Sequence, residues 1–339
     1  MNVLNPTLNE SLLNLIEGDL QTFIHDVCPA RYSLFTEMVN WHFGWKKDSE
    51  NQMQGKRLRP LLLLCFCQAT GGDHLSALPA ATAIELIHNF TLIHDDIQDN
   101  SATRHNRSAL WFKYGASQAI NTGDALFSLA KISLDRMQVS YPCETVLKVS
   151  SLLDNTVFKL TIGQFLDMFY EGSTEIDLVD YFEMIKGKTG ALLCSCCMIG
   201  AILGSNDPEI VRKAGEFGLN LGLAFQIQDD YLGIWGDQAI TGKSNTNDLI
   251  TRKLTLPIIY GLQKKGQFAS IWRTTDSSPC ALSELTKSLE IEGAKSFTLD
   301  RVKDYSQSAL EILPDIFTKQ NEFTSLLINL VQDLVSREN

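Results

Sequence analysis

The sequence predicts an all-α protein: one large helical bundle whose facing helices line a central cavity, spanning residues 1–339 as a single domain. Three observations predict it. Apolar residues recur at helical spacing almost throughout. Alternating β-branched runs bounded by Asn-Gly or Asp-Gly turns are missing. The breaks at Pro29, Pro60, Gly71-Gly72, Pro79, Pro142, Gly172, Gly187, Pro208, Gly236, Gly242, Pro257, Pro279 and Pro314 leave segments mostly long enough for helices. No Pro/Gly/Ser-rich linker or shift of composition divides the chain.

Taken in order, Thr7-x-x-Glu10 after Pro6 reads as a capping box opening the first helix. GKRLRP (55–60) reads as a basic helix start. The segment around Ile87, Phe90, Leu92 and Ile93 is an apolar helix that ends in Asp95-Asp96-x-x-Asp99. Thr189 to Asn206 is the longest uncharged run and reaches the lower limit for a membrane span, but Gly, Ser and Cys dilute it, so it is expected to be a buried bundle helix. Asp207-Pro208 is an N-cap followed by proline at the first helical position. The helix it opens carries Leu223, Phe225 and Ile227 up to a second acidic pair, Asp229-Asp230. Gly236 to Ser244 imitates a phosphate-binding loop, but five residues separate its glycines instead of four and a helix precedes it.

Composition narrows the function classes. A net charge of −11 argues against a nucleic-acid or anionic-membrane surface, and 44% hydrophobic residues suffice for a large core. The acidic N-terminus shows no targeting pattern, so the cytoplasm is the expected location. Eight cysteines without paired spacing read as reduced, mostly buried thiols.

The acidic clusters carry the chemistry. Asp95 and Asp99, at i and i+4, project from one helix face, where like charges cost roughly 0.2–0.5 kcal/mol, and more with partial burial. A solvated acidic face would explain them, but both clusters sit among apolar residues. Hard divalent cations neutralise such sets, and carboxylate oxygens suit Mg²⁺.

With these clusters placed, the chain resembles the trans-type isoprenyl diphosphate synthases, or polyprenyl synthetases, from about Gly55 through Leu256. The ordered motifs are GKRLRP (55–60), IHNFTLIHDDIQDN (87–100), Arg104, INTGDALF (120–127), GQ (163–164), KGKTGAL (186–192), FQIQDDYLGIWGD (225–237) and GKSNTNDLITRKLTLP (242–257). The resemblance implies a homodimeric helical prenyltransferase in which three Mg²⁺ ions, replaceable by Mn²⁺, join both clusters to an allylic diphosphate. Asp95, Asp99 and Asp229 are then the metal ligands, with Asp96 and Asp230 supporting them. Arg104, Lys188, Lys243 and Lys253 match the ligands of the allylic diphosphate. Lys56, Arg59 and His88 match the site for isopentenyl diphosphate, and His88, seven residues before Asp95, should share the acidic face. Arg57 reads either as a site residue or as an ion-pair partner. Thr189 and Gln226 are implied to stabilise the allylic cation beside Phe225, and the final proton goes to departing pyrophosphate.

Two departures stand out. Where relatives carry a second arginine after Arg104, this chain has His105, so either His105 substitutes or Arg107 reaches in. Gly233 replaces a third aspartate of the second motif, although Asp237 follows. Phe90 and Thr91, five and four positions before Asp95, lie about one turn or 5–7 Å along the wall, and the resemblance implies that they set chain length. The small Thr91 favours a C20 product, geranylgeranyl diphosphate, over C15. Alternative readings are a terpene cyclase of the same fold, which has no use for Lys56, Arg59 and His88, and a non-catalytic subunit, which has none for two acidic clusters.

Overall fold

The computed structural model describes residues 6–28, 30–45, 56–171, 173, 176–236, 247–272, 278–317 and 319–336. These are almost wholly helical, as the spacing predicts. They cluster into two compact units, and α7 (Cys143–Tyr170), α9 (Ala191–Gly204), α10 (Pro208–Trp235) and α16 (Glu322–Ser336) contribute residues to both.

The first unit comprises 1–153, 196–211 and 321–326. It contains α1 (Pro6–Val27), α2 (Ser33–Phe43), α3 (Leu58–Ala69), α4 (Leu78–Gln98), α5 (Leu110–Tyr114) and α6 (Ala116–Asp135). Every residue from Pro60 to Cys67 in α3 is buried, which explains why that helix has no polar face. α4 is buried through most of its length and surfaces only at its acidic end. The one strand pair among the described residues, β1 (Thr103–Arg104) with β2 (Arg107–Ser108), was not anticipated. His105 and Asn106 join the strands at φ 49° and 60°; positive φ at both central residues suits the right-handed twist of a tight hairpin.

The second unit comprises 154–195, 212–320 and 327–339. It contains α8 (Leu178–Ile185), α11 (Asn247–Thr251), α12 (Leu256–Lys264), α13 (Gln267–Trp272), α14 (Pro279–Ile291) and α15 (Ala294–Ile316). Tyr181, Ile185, Leu223, Ile227, Leu256, Phe268 and Leu289 belong to its core.

Several local expectations change. α1 starts at Pro6, so Thr7 lies inside it and is not its N-cap. Gly187 does not end a helix, because Lys186–Gly190 forms a π-helical segment between α8 and α9. Pro314 sits in the last turn of α15 and does not begin a new element. Asp207 does cap α10, accepting from the N–H groups of Glu209 (2.8 Å) and Ile210 (3.2 Å). Leu178–Gly204 is long and apolar enough to cross a membrane, but 72% of its most apolar window is buried, as a core helix requires. None of the eight cysteines forms a disulfide; Cys65, Cys67, Cys196 and Cys197 are buried, whereas Cys143 and Cys280 are exposed.

Candidate active site

The first acidic cluster lies where a helix least tolerates it. Asp95 and Asp96 occupy the last turn of α4 and Asp99 is its C-cap, with its N–H on Asp95 O at 2.8 Å. The negative end of the helix dipole and the i,i+4 repulsion both oppose carboxylates there, each by a few tenths of a kcal/mol or more. The three divide by environment. Asp96 is buried and takes both prongs of Arg104, Nε to Oδ2 and Nη2 to Oδ1, each at 2.8 Å. Asp95 is half-buried and Asp99 exposed. Three of Arg104's five N–H donors are outside this fork and open to a second ligand.

The second pair divides the same way. Asp229 is exposed and Asp230 buried. The Asp230 carboxylate accepts from Tyr181 Oη (2.6 Å), Leu256 N (2.9 Å) and Gln226 Nε2 (3.0 Å). Burial pushes its carboxyl up, against those three donors, which favour the charged form. The Gln226 amide is oriented from both ends, since its Oε1 accepts from Thr189 Oγ1 at 2.6 Å. Thr189 and Gln226 therefore come together as their motifs imply. Asp230 is what fixes them.

Asp167, which the sequence reading missed, organises the basic residues of this unit. Its Oδ2 receives Lys188 Nζ in a short ion pair and lies 3.6 Å from Lys253 Nζ. Burial alone would raise its carboxyl, but Lys253 and Lys188 outweigh burial and hold it below the usual carboxylate range. One buried carboxylate thus draws two ammonium groups to the same place. The signal was present: Gly163-Gln164 lies one turn before Asp167 on α7. A Cβ at Gly163 would stand 2.6 Å from Gly187 C and 2.8 Å from Lys188 Cα, so only glycine lets α7 approach the π segment this closely. π-helical segments inside helices are frequent at functional sites.

In the first unit Arg59 Nη1 donates to His88 Nε2 at 3.2 Å, while Lys56 is exposed at the entry to α3. Burial first, then Arg59, Arg104 and Arg57, holds the half-buried His88 ring well below its usual pKa. It is a neutral acceptor there. Arg57 resolves as an ion-pair partner, bound to Glu17 and Glu85. Arg107 is committed too: it donates to Trp41 O (3.0 Å) and His42 O (3.4 Å) at the C-terminus of α2. That leaves His105, exposed at the hairpin tip, at the position of the missing arginine. Phe90 is half-buried against His94 and Phe127, both ring centroids 5.4 Å away, and Thr91 is buried with its hydroxyl on His88 O at 2.7 Å. Where Gly233 replaces an aspartate, the Asp248 carboxylate fills the space, with Cγ 2.6 Å from a Cβ built there. Lys243, Asp237 and nearly all of the phosphate-loop look-alike lie outside the described residues.

Among the described residues no three His, Cys, Asp or Glu side chains cluster closely enough to form a complete metal cage. The donor chemistry nevertheless fits Mg²⁺, which keeps waters and takes one or two carboxylates together with substrate phosphates. Asp95 is half-buried and Asp99 and Asp229 are exposed, as carboxylates of that kind must be, whereas Asp96 and Asp230 are buried and engaged by protein donors.

A family model described as polyprenyl synthetase matches residues 48–289. Geranylgeranyl diphosphate synthase of Mycobacterium tuberculosis H37Rv is 34% identical over 316 residues, covering 91% of this chain and 89% of its own. The crystal structure of geranylgeranyl pyrophosphate synthetase from Pyrococcus horikoshii Ot3 superposes with a TM-score of 0.89 at 28% identity, over 98% of each chain. The polyprenyl synthase of Caulobacter crescentus CB15, crystallised with calcium and isoprenyl diphosphate, gives 0.81 at 27% identity, again over 98% of each. Sequence, helical architecture and these relatives agree: the chain belongs to the polyprenyl synthetase family, the trans-type isoprenyl diphosphate synthases.

Proposed function

We propose that this chain is a short-chain trans-prenyltransferase that joins an allylic diphosphate head to tail to isopentenyl diphosphate, with a C20 product and C15 as the alternative. The observation that carries it is the division within both aspartate pairs: Asp96 and Asp230 are buried and bound to Arg104 and Gln226, whereas Asp95 is half-buried and Asp229 exposed. When bound to Asp95, Asp99 and Asp229, Mg²⁺ supplies neutralisation of the charge growing on the leaving pyrophosphate. Lys188 and Lys253, and Arg104 through its remaining donors, hold the allylic diphosphate. Gln226 Oε1 and Thr189 Oγ1 present oxygen dipoles to the allylic cation, fixed in advance and costing no reorganisation at the moment of reaction. Lys56, Arg59 and His88 hold isopentenyl diphosphate, and neutral His88 contributes orientation in place of charge.

The family relationship supports the same reading for assembly: residues 1–339 act as one synthase domain in a cytoplasmic homodimer. α7 carries an exposed apolar stripe, Phe158, Ile162, Phe165 and Phe169, on one helix face, which a second copy would cover. Light scattering of the purified protein tests it, and a monomer at micromolar concentration refutes the homodimer.

Incubation with an allylic diphosphate, with and without isopentenyl diphosphate and with Mg²⁺ or EDTA, tests the reaction. Elongated product is expected only with both substrates and metal, and Asp95→Asn or Asp229→Asn should lower turnover by orders of magnitude in a folded protein. A cyclised hydrocarbon formed without isopentenyl diphosphate would instead identify a terpene cyclase. No product under any condition would leave a subunit role.

A further inference from the structure

Between Lys56 and Arg59 the chain does something costly. Arg57 adopts φ 45°, ψ 32°, a left-handed conformation unfavourable for any residue with a Cβ, directly before α3. Such strain persists only where the surroundings over-determine it, and it concentrates at functional positions. Here the surroundings do so. The Arg57 guanidinium, 6% exposed, donates Nε to Glu17 Oε2 at 2.9 Å and Nη1 to Glu85 Oε1 at 2.7 Å, binding α1 and α4 at once. Its face lies over the Phe43 ring, 5.4 Å from the centroid. Each glutamate is itself held: Glu85 Oε1 accepts from Asn89 Nδ2 at 2.8 Å, and Glu17 Oε1 receives Trp45 Nε1 in a short hydrogen bond. The Arg57 carbonyl accepts from Leu61 N at 3.1 Å, so the residue that is clamped is also the one that starts the helix.

We propose that Arg57 is the positioning residue of the homoallylic diphosphate site: its clamp between Glu17 and Glu85 holds the α3 entry in the turn that sets Lys56 at the surface and Arg59 on His88. The proposal rests on the assignment of Lys56, Arg59 and His88 to isopentenyl diphosphate. A preset turn means that the two cations are not ordered anew with each substrate, which is where preorganisation raises affinity. Arginine is required because one planar fork must serve two carboxylates on two helices; a lysine ammonium lacks that geometry.

Two variants test it. Arg57→Lys keeps the charge and loses the fork. Arg57→Met/Glu17→Gln/Glu85→Gln removes all three charges of the clamp together, so that no uncompensated carboxylate is left to unfold the protein. Kd for isopentenyl diphosphate is measured by calorimetry, KM for each substrate by steady-state kinetics, and melting temperature in parallel. Both variants should weaken Kd and KM for isopentenyl diphosphate about tenfold or more, with KM for the allylic diphosphate changed less than about twofold. A purely structural ion pair moves the melting temperature and leaves this split absent. Wild-type affinity for isopentenyl diphosphate in either folded variant overturns the proposal, as does an equal rise in both KM values. Lys56→Ala, measured alongside, separates the two levels: if it too leaves isopentenyl diphosphate binding unchanged, the site assignment itself fails, whereas weakened binding there with intact binding in the clamp variants defeats only the clamp.

Discussion

Gly163→Ala adds a single methyl group to α7 and should disable the enzyme. The new Cβ would stand 2.6 Å from Gly187 C and 2.8 Å from Lys188 Cα, and closer still to the Lys188 amide nitrogen. All three are backbone atoms, so no side chain can swing aside. Ordinary carbon–carbon contact needs roughly 3.5–4.0 Å, so α7 and the π segment must part by about 1 Å. The segment carries Lys188 and Thr189; α7 carries Asp167, which pairs with Lys188. A displacement of about 1 Å at such groups is enough for a loss near 100-fold, and overpacking costs a further 1–3 kcal/mol of stability. Turnover with both diphosphates saturating, scored beside the melting temperature, gives the comparison. We expect kcat down by about two orders of magnitude with a lowered but clear melting transition. A variant with wild-type kcat and melting temperature would show that the close approach of the two backbones does not matter, and would remove the structural reason for this glycine.

Three further outcomes are expected. Phe90→Ala removes the ring packed on Phe127 and His94 and should lengthen the product; an unchanged length distribution of the dephosphorylated alcohols on chromatography places the floor elsewhere. Although His105 is exposed at the hairpin tip, partial desolvation of its ring and then the charges of Arg104 and Arg107 hold it below its usual pKa, so it gains charge only as the pH falls. KM for isopentenyl diphosphate should therefore fall on acidification in the wild type, whereas His105→Arg should be tighter at pH 7.5 and lose that dependence; a pH profile shared by both proteins argues against a role for His105. Gly233→Asp, which restores the family's third aspartate, should destabilise by about 1–3 kcal/mol because the Asp248 carboxylate already fills that space. Gly233→Asp/Asp248→Ala should recover the melting temperature, and failure to recover would mean that the two side chains do not compete.

Much of this protein was readable from the chain. Helical periodicity determined the all-α class because a 3.6-residue repeat of apolar side chains has few other ways to bury itself. Aspartates at the end of an apolar helix pointed to metal binding as an expectation, because repulsion and the helix dipole make such a cluster expensive without a cation. Residue spacing along one helix is local, and a sequence displays it. Tertiary structure decided which groups pair. Asp96 and Asp230 cannot be told from Asp95 and Asp229 by type, yet the fold buries them against Arg104 and Tyr181. Arg57 and Arg107 look as available as Arg59 until Glu17, Glu85 and the end of α2 are seen to occupy them. Asp167 draws its importance from Lys188 and Lys253, 21 and 86 positions further along. Charges and hydrogen bonds act over a few ångströms in space, so partners far apart in the chain become legible only once the backbone has brought them together.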